Sequence, residues 1–223
     1  MKLIAIETST DVCSIAYIDN GICKNINEDV IPRQHAEKLP LFYNDLVKQT
    51  NLKLSDINAV AVSIGPGSFT GLRIGLSYSK GLAYSKKKPI VPVPTMQSLI
   101  YGSGITDGDV AVVMHSHGIK YFIQQSRLRA QGSEIKNSNK YSLIQVLTCE
   151  SVYDLSVDIS STKIIHWRCD KLFSEVKNKQ NIFSVNPSAK WIGELAHQNY
   201  NEWVVENPYK LVPEYISPFK MGK

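Results

Sequence analysis

Apolar residues open the chain in two short runs. Leu3-Ile4-Ala5-Ile6 is cut off by Glu7, and the stretch from Cys13 to Ile18 is nearly as greasy. Runs of this length predict strands, and Asp19-Asn20-Gly21 supplies a hairpin turn in which Asn and Gly tolerate positive φ. Residues 22–30 return as a third, more polar strand, towards an edge of the sheet. The period then changes. Ala36, Leu39, Tyr43 and Leu46 recur at helical spacing, with Phe42 and Val47 widening the stripe, so a helix is expected over residues 37–50. Pro40 has no N–H to give and belongs in the first turn or at a kink. Residues 59–64 are almost wholly apolar, the pattern of a strand covered on both faces. A second helix follows over residues 69–85, stopped by Lys86-Lys87-Lys88 and Pro89. Residues 90–93 form a strand with Pro92 inside it, and a short helix over 95–101 takes Thr95 as its cap.

The second half is less regular. Gly102 to Gly108 is the densest glycine cluster and the best domain boundary. Beyond it, residues 110–114 and 120–125 read as a hairpin around His115-Ser116-His117-Gly118. Residues 127–140 read as an exposed loop, with Glu134-Ile135-Lys136 as solvated surface. Residues 143–149 and 163–167 read as strands, and helices over 171–179 and 188–200 flank a strand at 182–185. The division expected is therefore residues 1–102, a second subdomain at 109–206, and an extended tail at 207–223.

Composition narrows the class. Of 223 residues, 43% are hydrophobic and 20% charged, which excludes a disordered or fibrous chain. No apolar run approaches membrane length and none has the form of a signal-peptide core, so a cytoplasmic protein without membrane association is expected. Cys13, Cys23, Cys149 and Cys169 contain no C-x-x-C pair and read as free thiols. The net charge of +5 permits an RNA partner without requiring one.

The sharpest motif is Gly65-Pro66-Gly67-Ser68-Phe69-Thr70-Gly71-Leu72-Arg73-Ile74-Gly75. A strand ends in a glycine loop, Ser68 or Thr70 caps the next helix, and the free N–H groups there could hold an anion. Glu7-Thr8-Ser9-Thr10 could face a phosphate from the first hairpin, which makes Glu7, Thr8, Ser9, Gly65 and Gly67 the phosphate-loop candidates. The competing reading is structural: hydroxyls that satisfy a turn, and glycines that admit a close neighbour. Gly71, Gly75 and Ser79 fall four apart on one helix face, and each glycine costs about 0.8–1 kcal/mol relative to Ala. Such a face suits close approach by another helix, with Leu72 and Leu76 beside it. His35 and Glu37 do not share a helix face, and Leu39 stands where a second histidine would be needed for a metal. His115 and His117 could share a strand face, but no third ligand accompanies them. No metal and no cofactor is expected.

On these residues the chain resembles the TsaB (YeaZ) family, relatives of the TsaD proteins in the actin–hexokinase–Hsp70 (ASKHA) superfamily. The match is carried by Leu3 to Thr10, by Cys13-Ser14-Ile15-Ala16, by Gln34 to Pro40, by Ser63 to Gly75, and by Gly81-Leu82-Ala83. The resemblance implies an α/β fold of two ASKHA, ribonuclease H-like subdomains, each a mixed sheet with flanking helices. It implies a non-catalytic protein that works with a TsaD-like catalytic subunit and a TsaE-like ATPase to modify tRNA with threonylcarbamoyladenosine, meeting tRNA through the complex. First-domain helices would dock on the partner, or on a second copy when the chain is alone. His35, Leu39, Tyr43, Gly71, Leu72, Gly75, Leu76 and Ser79 are the expected interface. The second half departs from the family pattern: Met114-His115-Ser116-His117-Gly118 replaces an Asp-Ala-Arg-Arg-like segment, and His166-Trp167-Arg168-Cys169-Asp170 replaces a glycine loop. The alternative is an ASKHA phosphotransferase or ATPase, which would need phosphate loops in both halves.

Overall fold

The structure is a computed structural model that describes residues 1–129 and 140–216. In chain order its elements are β1 (Lys2–Glu7), β2 (Val12–Asp19), β3 (Ile22–Val30), α1 (His35–Thr50), β4 (Ala59–Gly65), α2 (Phe69–Lys86), β5 (Ile90–Pro94) and α3 (Thr95–Ser103). There follow β6 (Gly108–His117), β7 (Lys120–Leu128), β8 (Lys140–Tyr141), β9 (Gln145–Thr148), β10 (Lys163–Trp167), β11 (Ile182–Ser184), α4 (Ala189–Gln198) and α5 (Tyr200–Trp203).

The chain divides into two compact units. The first joins Met1–Ser98 to Pro187–Tyr215, and the second is built on Leu99–Asn186. In the first, five strands lie in the order β3-β2-β1-β4-β5; β1 to β3 form an antiparallel meander, and β4 and β5 run parallel to β1. The alternation of the strands sorts their side chains onto two faces. Ile4, Ile6, Val60 and Val62 pack with Leu39 and Leu46 of α1 and with Leu76 and Ala83 of α2. Leu3, Ala5, Ala16, Ala59, Ala61, Val91 and Val93 face the other way, onto Ala189, Ile192 and Ala196 of α4. Alanines on that sheet face let the helix come close: a Cβ at Gly193 would collide with Ile18 and Ala5. Fully burying a residue such as Ile192 contributes roughly 1.5–3 kcal/mol. Ser188 caps α4, accepting from the Lys190 amide, and the Ala189 amide donates to Ser14 Oγ at 3.0 Å.

The second unit holds a sheet in the order β11-β10-β6-β7-β8, with β9 also paired to β7. β6 and β7 form an antiparallel hairpin across a two-residue turn at Gly118, and β10 runs parallel to both β6 and β11. Val113, Ile123, Ile164, Leu155 and Phe173 centre its core, with Cys149 and Cys169 as buried thiols.

Four expectations change. Residues 187–206 do not belong to the second unit, because α4 covers the open face of the first sheet. The described part of the tail is extended but docked. Lys80 Nζ donates to the carbonyls of Tyr209 and Leu211 at 3.0 and 2.7 Å, and the Glu214 amide donates to the Ile64 carbonyl at 2.7 Å. Residues 171–179 form turns, not a helix: the Leu172, Ser174 and Val176 amides bond back three residues, to the Cys169, Lys171 and Phe173 carbonyls, and this places Leu172 and Phe173 in the core. Helix α1 starts two residues before the expected position, which puts Pro40 inside it. The segment 130–139, including Glu134-Ile135-Lys136, and residues 217–223 of the tail lie outside the described residues.

Candidate functional site

The two motifs meet. The turn after β1 lies directly against the start of α2, and both sides are built for contact. Ser68 Oγ accepts from the Gly71 amide at 3.2 Å and caps the helix, while the Ser68 amide donates to the Ser9 carbonyl at 2.6 Å. Thr8 Oγ donates to the Gly71 carbonyl at 2.8 Å. A Cβ placed on Gly67 would strike the Ser9 carbonyl oxygen, on Gly71 the Thr8 carbonyl oxygen, and on Gly75 the Thr8 hydroxyl. Gly65, at φ +120°, has the Glu214 carbonyl oxygen 2.8 Å from where its Cβ would stand. The glycines are therefore needed for close packing within the unit.

This corrects the phosphate-loop candidates. Glu7, Thr8 and Ser9 are buried, and two of the N–H groups an anion would use are already taken by Ser9 and Ser68. Glu7 is wholly buried. Burial pushes its carboxyl up to about 7, against the hydrogen bond from the Ser9 amide, which favours the ionised form. The Ser9 amide donates to Oε1, whereas Oε2, Ser9 Oγ and Ser63 Oγ have no partner among the described residues. A buried carboxylate holding few donors favours its neutral form. It also pushes the neighbouring Cys13 thiol, already raised by its own burial, to about 12.

The expected interface is corrected in the same way. Leu39, Leu72, Gly75, Leu76 and Ser79 are buried in the core, and Gly71 lies under Thr8. His35 is buried as well, with Nε2 3.1 Å from the Val12 carbonyl oxygen. Of the eight residues, Tyr43 alone keeps substantial exposure, in an edge-to-face pair with Tyr78 whose centroids are 6.0 Å apart. The outward side of α2 carries exposed Ser77 and Gly81, flanked by Ile74, Tyr78 and Leu82, which are half-buried and pack in part against the core. Leu41 on α1 is 52% exposed. A Cβ at Gly81 would meet nothing within 4 Å. The sequence signal for this face was present: Ser77 and Gly81 are also one helical turn apart.

In the second unit His115 and His117 are both exposed. His115 Nε2 lies 3.0 Å from the Gly118 carbonyl oxygen with its ring edge-to-face on Tyr121, and His117 Nδ1 lies 3.1 Å from Ser116 Oγ. Among the described residues no three His, Cys, Asp or Glu side chains gather as a metal would require. No described helix is long and apolar enough to cross a membrane.

The order of strands, the helices on both sheet faces and the β1–β2 turn set at the head of α2 define a fold of the actin-like, ASKHA type. The solved structure of YeaZ from Pseudomonas aeruginosa overlays with a TM-score of 0.77 at 23% identity, covering 96% of this chain and 99% of that one. An activator of 2-hydroxyisocaproyl-CoA dehydratase from Clostridium difficile, solved with bound ADPNP, overlays at 0.50 with 10% identity, covering 91% and 96%. The family model for TsaD, tRNA N6-adenosine threonylcarbamoyltransferase, matches residues 24–174. The tRNA threonylcarbamoyladenosine biosynthesis protein TsaB of Escherichia coli is 34% identical over 113 residues, about half of either chain (51% and 48%). Its counterpart in Haemophilus influenzae is 26% identical over 222 residues, 97% of this chain and 93% of that one. The chain belongs to the TsaD family and, within it, to the TsaB/YeaZ branch.

Proposed function

We propose that the chain takes part in threonylcarbamoyladenosine modification of tRNA as a non-catalytic cytoplasmic subunit that docks a TsaD-like partner through the outward sides of α1 and α2. The observation that carries this reading is the outer face of α2. Ile74, Tyr78 and Leu82 leave apolar surface exposed there, and Ser77 with Gly81 leave a shallow strip along which another helix can approach. A helix that meets open space at a glycine has lost helix stability without any internal contact to compensate, which favours an external partner. The same face would serve a second copy of the chain when the partner is absent, and a TsaE-like ATPase would join the assembly elsewhere. The phosphotransferase alternative is disfavoured because Glu7, Thr8 and Ser9 are buried against α2.

Gly81→Leu tests the proposal with a built-in control. The added side chain enters open space in the free chain, so its melting temperature should stay at or above wild type. Across a helix contact the same carbons overpack the interface by roughly 1–3 kcal/mol, or about five- to 150-fold in affinity. Calorimetric titration with the TsaD-like subunit reads the difference. Wild-type affinity in the variant places docking on another surface.

A further inference from the structure

A cavity of about 480 Å³ opens at the C-terminal end of α2, within the first unit. Lys80, Lys87, Lys88, Tyr84, Tyr209 and Glu206 are among its walls. The two tyrosine rings stand edge-to-face with centroids 6.2 Å apart, yet Tyr84 is 70% and Tyr209 65% exposed. Exposed aromatic rings set beside lysines are the means by which proteins hold single-stranded nucleic acid, with bases on rings and phosphates on cations.

The lysines are not needed for the helix end. The C-terminal carbonyls of α2 are closed by main-chain groups: the Lys87 amide serves Ala83 and Tyr84, and the Lys88 amide serves Ala83 at 2.8 Å. Lys80 gives two of its three protons to the Tyr209 and Leu211 carbonyls, which fixes its charge at the pocket wall with one donor to spare. Lys88 gives one to the Ser55 carbonyl at 3.0 Å and keeps two. Glu206 is the single acidic group among these walls, and a carboxylate beside three ammonium groups can accept from a base amine without reversing the sign of the site.

We propose that this pocket holds a nucleotide of single-stranded RNA, its phosphate on Lys80, Lys87 and Lys88 and its base on Tyr84 and Tyr209. That the RNA is tRNA rests on the function proposed above; the pocket chemistry does not. The chain would then contact RNA directly as well as through its partner.

The test uses the full chain without any partner, so that loss of docking cannot imitate loss of RNA binding. Fluorescence anisotropy with a labelled oligoadenylate gives the affinity, and AMP and polyglutamate serve as competitors. Tyr84→Ala should weaken binding about tenfold, the effect of losing one stacked base, while Tyr84→Phe should keep wild-type affinity. Lys87→Ala should lower the slope of log affinity against log salt by about 0.7, one phosphate contact on a single strand. Both residues are exposed, and unchanged melting temperatures would confirm that the variants fold. Wild-type affinity in Tyr84→Ala would overturn the proposal. So would competition by polyglutamate as strong as by unlabelled oligoadenylate, or AMP binding as tightly as the strand, which would make the site one for a free nucleotide.

Discussion

Thr8 and Gly71 tie the first hairpin to the second helix: the Thr8 hydroxyl donates to the Gly71 carbonyl across 2.8 Å, and a side chain on Gly71 would drive a carbon into the Thr8 carbonyl oxygen. The small face of α2 that looks inward is thus occupied by the chain's own turn. The side of the helix that stays exposed, with Ser77 and Gly81, lies opposite.

The glycines of α2 should therefore separate by substitution to alanine. Gly71→Ala meets a backbone oxygen that cannot rotate away, and the overpacking of roughly 1–3 kcal/mol exceeds the helix-propensity gain of about 1 kcal/mol. Gly75→Ala meets the rotatable Thr8 hydroxyl and should cost less. Gly81→Ala meets nothing and should stabilise by about 0.5–1 kcal/mol. Urea unfolding of the three variants gives the order directly; a Gly71→Ala chain as stable as Gly81→Ala would break the link between hairpin and helix.

Much of the first unit was legible because its strands and helices differ cleanly in hydrophobic period. Ile4 and Ile6 against Leu3 and Ala5 already describe a sheet covered on both faces. What periodicity could not tell is which segment covers each face. Helix α4 is an ordinary amphipathic helix in sequence, and its contact with Ala5 and Ile18 spans more than a hundred residues of chain. The stripe of Gly71 and Gly75 suggests a helix as its close neighbour, whereas the β1–β2 turn fills it, because a period fixes a face and not its neighbour. Since Thr8 is a small polar residue in a turn, nothing in its sequence marks it as that neighbour. Leu172-Phe173 misleads for the opposite reason: a lone apolar pair carries no period, and successive turns bury it as well as a helix would.

Glu7 makes stability depend on pH in an unusual direction. Its carboxyl titrates near 4.5 in an unfolded chain and at about 7 when folded, because burial disfavours the charge. The folded state thus holds its proton longer. Between about pH 4.5 and about 7 the unfolded chain ionises first, so this group's contribution falls as pH rises and stays low above that window. At 1.36 kcal/mol per pKa unit the total change is about 3 kcal/mol. Glu7→Gln removes the titration and keeps the shape. The difference in unfolding free energy between wild type and Glu7→Gln should therefore shift against wild type from near pH 5 to near pH 8; a difference independent of pH would mean that Glu7 is not held as a neutral buried acid.

The tail supplies the last test, because its hold on α2 is local. Tyr215 lies on Phe69 with ring centroids 4.8 Å apart, its hydroxyl accepts from Arg73 Nε at 2.9 Å, and the Arg73 guanidinium sits 3.8 Å from the Phe69 ring centre. Just before it, the Glu214 amide donates to the Ile64 carbonyl at the end of β4. Tyr215→Ala removes the stacked ring and the hydrogen bond, together worth about 1 kcal/mol at a partly exposed site. The remaining anchors, Lys80 on the Tyr209 and Leu211 carbonyls, stay in place, so the fold as a whole should melt as before. The effect should appear as local opening. Exchange at the Glu214 amide should speed up about fivefold, the factor that 1 kcal/mol gives, while amides in β1 and β4 stay at their wild-type rates. A Glu214 amide that exchanges equally fast in both proteins would show that the aromatic clamp does not hold the tail down, and that the lysine anchors alone do.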